Sequence, residues 1–135
     1  MQESTPQGTR IAHVGIAIEA LDEAIPFYRE ILGLEPVTVA DSDGARIEAF
    51  QAGESLVELL ESSDADSPIG RFVAKRGPGI HHICFAVADL DGVLERCRAR
   101  GLRLIDERPR IGAEGKRIAF LHPSSTGGIL VELSE

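Results

Sequence analysis

The chain has 135 residues, 43% of them hydrophobic and 27% charged, with 14 Gly and 7 Pro. This composition fits a single globular domain and excludes a disordered or collagen-like chain. A formal charge of −8 argues against non-specific binding to nucleic acid or anionic lipid, so an anionic ligand would need a local cation or a metal to hold it. Two cysteines, Cys84 and Cys97, are too few for a disulfide framework and fit a reducing cytoplasm. No apolar run approaches the ~18 residues of a membrane span, and the opening MQESTPQGTR has no apolar signal core.

In chain order, the first predicted element is a strand over residues 11–18, where bulky apolar side chains alternate with His and small residues. A helix follows, with Asp22 as N-cap, an apolar stripe of Ile25, Tyr28, Ile31 and Leu32, and Gly33 as its stop. Pro26 is placed in the first turn, where backbone N–H groups have no helical partner anyway. Strands are predicted near 35–39, 46–51 and 56–61. Residues 62–79 form a joint, and Ser67-Pro68 starts a short helix there that ends at Gly77. A strand over 80–87 comes next, then a helix with the stripe Leu90, Val93, Leu94 and Cys97 and the stop Gly101. Three more strands are predicted near 103–107, 116–121 and 129–133.

The two halves repeat each other. Ile11-Ala12-His13-Val14-Gly15-Ile16-Ala17-Ile18 aligns with Ile80-His81-His82-Ile83-Cys84-Phe85-Ala86-Val87, His82 lying 69 residues after His13. Leu21-Asp22 matches Leu90-Asp91, Gly33-Leu34 matches Gly101-Leu102, and Arg46-Ile47 resembles Arg117-Ile118. Val57-Glu58-Leu59-Leu60-Glu61 matches Val131-Glu132-Leu133-Ser134-Glu135. Several matches in one order indicate a duplicated βαβββ module. The expected organisation is one α+β domain over 1–135, with module one about 10–61, a linker helix in 62–78 and module two about 79–135.

Side chains alternate across a strand. Val14, Ile16 and Ile18 therefore share a face opposite His13, Gly15 and Ala17, and Ile83, Phe85 and Val87 lie opposite His82, Cys84 and Ala86. A row of one His and two small residues is poorly filled, which points to a concave space with a polar group in it. Glu58 and Glu132 oppose the apolar Val57/Leu59 and Val131/Leu133 faces, an expensive place for a carboxylate without a partner. A lone strand histidine reads as an ordinary half-buried residue. Repetition of both the His and the Glu points instead to a shared metal site of His13, Glu58, His82 and Glu132. Two imidazoles and two carboxylates suit Co²⁺, Mn²⁺, Ni²⁺, Zn²⁺ or Fe²⁺.

At these residues the chain resembles the vicinal-oxygen-chelate (glyoxalase/bleomycin resistance) superfamily and, within it, the methylmalonyl-CoA epimerase family. Further matching segments are Asp66-Ser67-Pro68-Ile69, Gly79-Ile80-His81-His82-Ile83 and the run from Gly112 through Lys116, Arg117, His122 and Pro123 to Gly127-Gly128 and Glu132. The resemblance implies a curved, mostly antiparallel sheet around a metal-binding cleft. It implies a divalent ion, cobalt foremost, on His13, Glu58, His82 and Glu132. Where the family often has Gln, Glu58 adds a negative charge that would make the ion a weaker electrophile. The implied reaction interconverts the C2 epimers of methylmalonyl-CoA by removing and returning the C2 proton through a metal-stabilised enolate. Glu132 is the implied base on one face. Glu48, on the strand before Glu58, is the implied base on the other, its plain reading being a solvated strand glutamate. The expected partner is an acyl-CoA, methylmalonyl or the closely related ethylmalonyl, with no nucleic acid and no membrane, in a cytoplasmic homodimer.

Three other readings compete. A glyoxalase I-type lyase acting on a glutathione hemithioacetal needs nearly the same four ligands. An Fe²⁺ dioxygenase needs two His and one carboxylate, and Glu58 would fill a position that oxygen requires. A metal-free small-molecule-binding module has no reason to hold two His and two Glu in register. Of the weaker signals, His81 has the opposite parity to His82, His122-Pro123 reads as a loop, and Cys84 shares the His82 face as a small filler. Lys116 and Arg117 are either a solvated pair or contacts for CoA phosphates. No P-loop, GxGxxG, GxSxG or CxxC motif is present.

Overall fold

The structure is a computed structural model, and it describes residues 8–41, 44–112 and 114–135. Among them the order is β1 (Arg10–Ile18), α1 (Leu21–Pro26), β2 (Glu35–Val37), β3 (Ala45–Ala52), β4 (Ser55–Ser62), α2 (Pro68–Arg76), β5 (Gly79–Ala86), α3 (Leu90–Ala99), β6 (Arg110–Ile111), β7 (Arg117–Leu121) and β8 (Leu130–Ser134). This is the α+β arrangement expected, βαβββ twice with a helix in the joint. The chain divides into two compact units. The first is His13–His81, and the second combines residues 8–12 with His82–Glu135.

The units share one topology. Strand order is β2-β3-β4-β1 in the first and β6-β7-β8-β5 in the second. In each, the first strand runs parallel to the last and the other neighbours are antiparallel. In the first unit, α1 and the segment after it cover one face, packing Leu21, Ala24, Ile25 and Tyr28 on Ile16, Phe50, Val57 and Leu59. In the second, Leu90, Leu94 and Cys97 of α3 pack on Ala119, Leu121 and Leu133. Burying side chains such as Leu59 and Leu94 contributes about 2 kcal/mol each. A one-residue slip would turn them to the other face, so these contacts also set the register.

The start of α1 differs from the sequence reading. The N-cap of α1 is Ala20, which has no capping side chain, and Asp22 lies inside the first turn. The cap comes from β4: Glu61 Oε2 accepts the Leu21 N–H at 3.2 Å. The second unit repeats the device, with Glu135 Oε1 accepting the Leu90 N–H at 2.9 Å, and adds an ordinary cap at Asp89, which accepts from the Gly92 N–H at 3.0 Å. Each capping glutamate also pairs with the arginine of the repeated Arg-Ile, Arg46 at 2.8 Å and Arg117 at 3.4 Å. A carboxylate at a helix N-terminus satisfies an orphan N–H and the helix dipole together.

Because α1 starts at Leu21, Pro26 lies beyond the first turn. It can donate no N–H, and its ring crowds the carbonyl four residues back. The chain then widens into a π-helical segment over Phe27–Ile31, closed by Leu32 N–H to Phe27 O at 3.0 Å. Gly33 and Gly101 take φ of 68° and 72°, the left-handed conformation that ends both helical stretches at equivalent points. The helix start at Ser67-Pro68 is as read: the Ser67 hydroxyl accepts the Gly70 N–H at 3.1 Å.

One predicted strand is absent. Residues 103–107 contribute only a single bridge, Leu104 to Leu121, and the strand lies later, at β6. Asp106 explains the break. Its Oδ2 accepts the Phe120 N–H at 2.8 Å, so a side chain takes the ladder position a backbone carbonyl would hold.

Candidate functional site

In the first unit, β1 and β4 align His13 with Leu56, Gly15 with Glu58 and Ala17 with Leu60. His13 and Glu58 thus share a face, and His13 Nδ1 lies 3.7 Å from Glu58 Oε2, with side chains 18% and 12% exposed. Farther along, the space over the small residues is filled rather than open: Ile69 of α2 packs with Ala17, Ala45 and Leu60. The poorly filled row expected from His13, Gly15 and Ala17 is therefore covered by α2 at its Ala17 end.

The second unit repeats the pair. β5 and β8 align His82 with Leu130 and Cys84 with Glu132, and His82 Nε2 lies 3.5 Å from Glu132 Oε1. His82 and Glu132 are both buried. Two features are particular to this unit. Cys84 Sγ lies 3.5 Å from Ser134 Oγ. Phe120, opposite Glu132 in the β7–β8 ladder, sets its ring edge-on to His82 with centroids 6.2 Å apart. Neither cysteine is in a disulfide.

Glu48 lies on β3, the strand before that of Glu58, and does not share the Glu58 face. The β3–β4 ladder sets Glu48 opposite Leu59 and Ala49 opposite Glu58. Directly opposed residues share a face, so Glu48 projects with Phe50 and Leu59 on the α1 side, where it is exposed. The β3 residues on the Glu58 side are Ala45, Ile47, Ala49 and Gln51, none of them acidic.

The remaining signals fall into place within each unit. His81 sits edge-on to Phe72 of α2 at 5.1 Å, and burial holds its imidazole below its ordinary pKa. His122 Nδ1 accepts the Ser124 N–H at 3.0 Å and caps a short 3₁₀ turn. Arg117 makes two 3.0 Å bonds to Asp91 on the α3 side, so it is occupied in a surface ion pair, while Lys116 is exposed. The sequence reading missed Phe120, which parity along β7 would have found.

Residues 12–120 match the glyoxalase/bleomycin resistance protein/dioxygenase superfamily. The chain belongs to this superfamily. This superfamily member is 41% identical to the uncharacterised protein YqjC of Bacillus subtilis, over 93% of the chain and 91% of that protein. It is 37% identical to the ethylmalonyl-CoA/methylmalonyl-CoA epimerase of Cereibacter sphaeroides, over 93% of the chain and 97% of that enzyme. A solved structure of methylmalonyl-CoA epimerase in complex with methylmalonyl-CoA and NH4+ superposes with a TM-score of 0.83 at 38% identity, covering 95% of this chain and 94% of that one.

Proposed function

We propose that the chain is a metal-dependent epimerase that interconverts the C2 epimers of methylmalonyl-CoA. The observation that carries this reading is the twice-built His–Glu pair, in a chain that matches an ethylmalonyl-CoA/methylmalonyl-CoA epimerase along nearly the full length of both. His13, Glu58, His82 and Glu132 offer imidazole nitrogens and carboxylate oxygens, a donor set that fits a divalent ion, Co²⁺ first and Mn²⁺, Ni²⁺, Zn²⁺ or Fe²⁺ as alternatives. When bound, the ion supplies Lewis-acid stabilisation of negative charge developing on the acyl group.

The chain supplies the proton transfers. Glu132 takes the C2 proton on one face. We assign no proton transfer to Glu48, whose side chain leaves β3 on the α1 side. Glu58 is the module-one counterpart of Glu132, but the family that the chain resembles often has Gln at that position, so we assign it metal binding alone. The protein is read as a cytoplasmic homodimer, supported by two cysteines outside disulfides and by exposed Phe27, Ile31 and Leu32. Among the described residues no helix is long and apolar enough to cross a membrane.

The test is incubation with a single epimer of methylmalonyl-CoA in D₂O, with and without chelator. Deuterium at C2 and loss of optical purity, both abolished by the chelator, are expected. Full retention of the proton and of the starting epimer would overturn the reading.

A further inference from the structure

We infer that Arg110 positions the anionic end of the acyl-CoA, held over Phe120 on the face that carries His82 and Glu132; this rests on the epimerase reading. The face follows from three ladders. Arg110 opposes Ile118, Ile118 opposes Ser134 and Phe120 opposes Glu132, while Glu132 aligns with Cys84 on the strand of His82. Aligned residues share a face, so Arg110, Phe120, Glu132 and His82 project from the same side of the second unit.

The side-chain contacts agree. The Arg110 guanidinium lies 5.7 Å from the Phe120 ring centroid, and that ring stands edge-on to His82. Asp106 Oδ1 accepts the Arg110 Nε–H at 3.2 Å. Among the described residues the terminal amino groups of Arg110 make no hydrogen bond, and the side chain is 52% exposed. The guanidinium is therefore oriented by Asp106 and Phe120, with N–H donors left for a ligand.

Two other arginines of this unit are committed elsewhere. Arg117 faces α3 and is held by Asp91 and Glu135, and Arg98 is held by Glu95 and the Glu107 carbonyl. In a chain of charge −8, an anionic substrate needs a local cation. An oriented guanidinium matches a carboxylate or a phosphate bidentately. Both groups occur in a malonyl-type acyl-CoA, and they share this anionic-oxygen chemistry.

The test compares wild type, Arg110→Gln and Arg110→Lys on methylmalonyl-CoA and on a methylmalonyl-pantetheine thioester, which lacks the nucleotide phosphates. Arg110→Gln is expected to raise KM for methylmalonyl-CoA by about 10- to 100-fold, the worth of a charge-assisted hydrogen bond, with kcat little changed and partial rescue by Lys. A KM effect that persists on the truncated substrate assigns Arg110 to the carboxylate, and one that disappears assigns it to a phosphate. Unchanged KM in Arg110→Gln, in a background where the wild type turns over, overturns the inference alone. An inactive wild type overturns the epimerase reading itself.

Discussion

Glu48 stands opposite Leu59 across the β3–β4 ladder, so its carboxylate leaves the sheet on the α1 side while Glu58 leaves on the other. Glu48→Gln is therefore expected to change the epimerisation rate by less than about twofold and stability by no more than about 0.5 kcal/mol, as for other exposed substitutions. Proton exchange and urea denaturation measure the two quantities. A rate loss of ten-fold or more would return Glu48 to the chemistry.

Glu132 and Glu58 are expected to separate when mutated. Glu132→Gln should reduce C2 deuterium exchange by roughly 10²- to 10⁴-fold, the usual effect of losing a positioned base. Glu58→Gln keeps an oxygen donor and gives the residue that the resembled family often has there, so it should retain the metal and change exchange and interconversion by less than about ten-fold. The two rates come from one experiment that follows label and chirality together. A loss of both beyond about a hundred-fold in Glu58→Gln, with metal retained, would show that the Glu58 carboxylate acts in the chemistry itself.

Metal removal gives a readout that does not depend on turnover. A ligand that binds only the native state at 100-fold above its Kd stabilises by about 2.7 kcal/mol. Added Co²⁺ should raise the Tm of chelator-treated protein, and His82→Ala should abolish that rise. A Tm indifferent to divalent ions in the wild type would favour the metal-free binding module.

The capping glutamates differ in their support. Glu61 is the only side chain among the described residues that caps α1, whereas α3 has Asp89 in addition to Glu135. Glu61→Ala should cost about 1–2 kcal/mol, the range for losing a helix cap. Glu135→Ala should cost less. Urea midpoints for the two variants check the order, and a reversed order would mean that α1 draws its stability from packing alone.

Much of the fold was legible because its signals are local. Alternation along 11–18 and 80–87 assigned the faces of β1 and β5, and Ser67-Pro68 marked the start of α2. The errors share a cause. The local pattern favours Asp22 as a cap because Glu61, which caps α1, lies 40 residues from Leu21. The strand at 103–107 failed because Asp106 reaches the Phe120 N–H, a bond spanning 14 residues.

By itself, the sequence determined the duplicated βαβββ module, the kinds of element in it and the presence in each copy of one His and one Glu opposite the bulky apolar row of their own strand, since parity within a strand depends only on the chain's own geometry. The tertiary structure alone decided which neighbouring side chains look the same way. Register between strands is set by burying residues distant in sequence, such as Leu59 beneath α1 and Leu133 beneath α3. That register turned Glu48 away from Glu58 and brought Arg110 over Phe120.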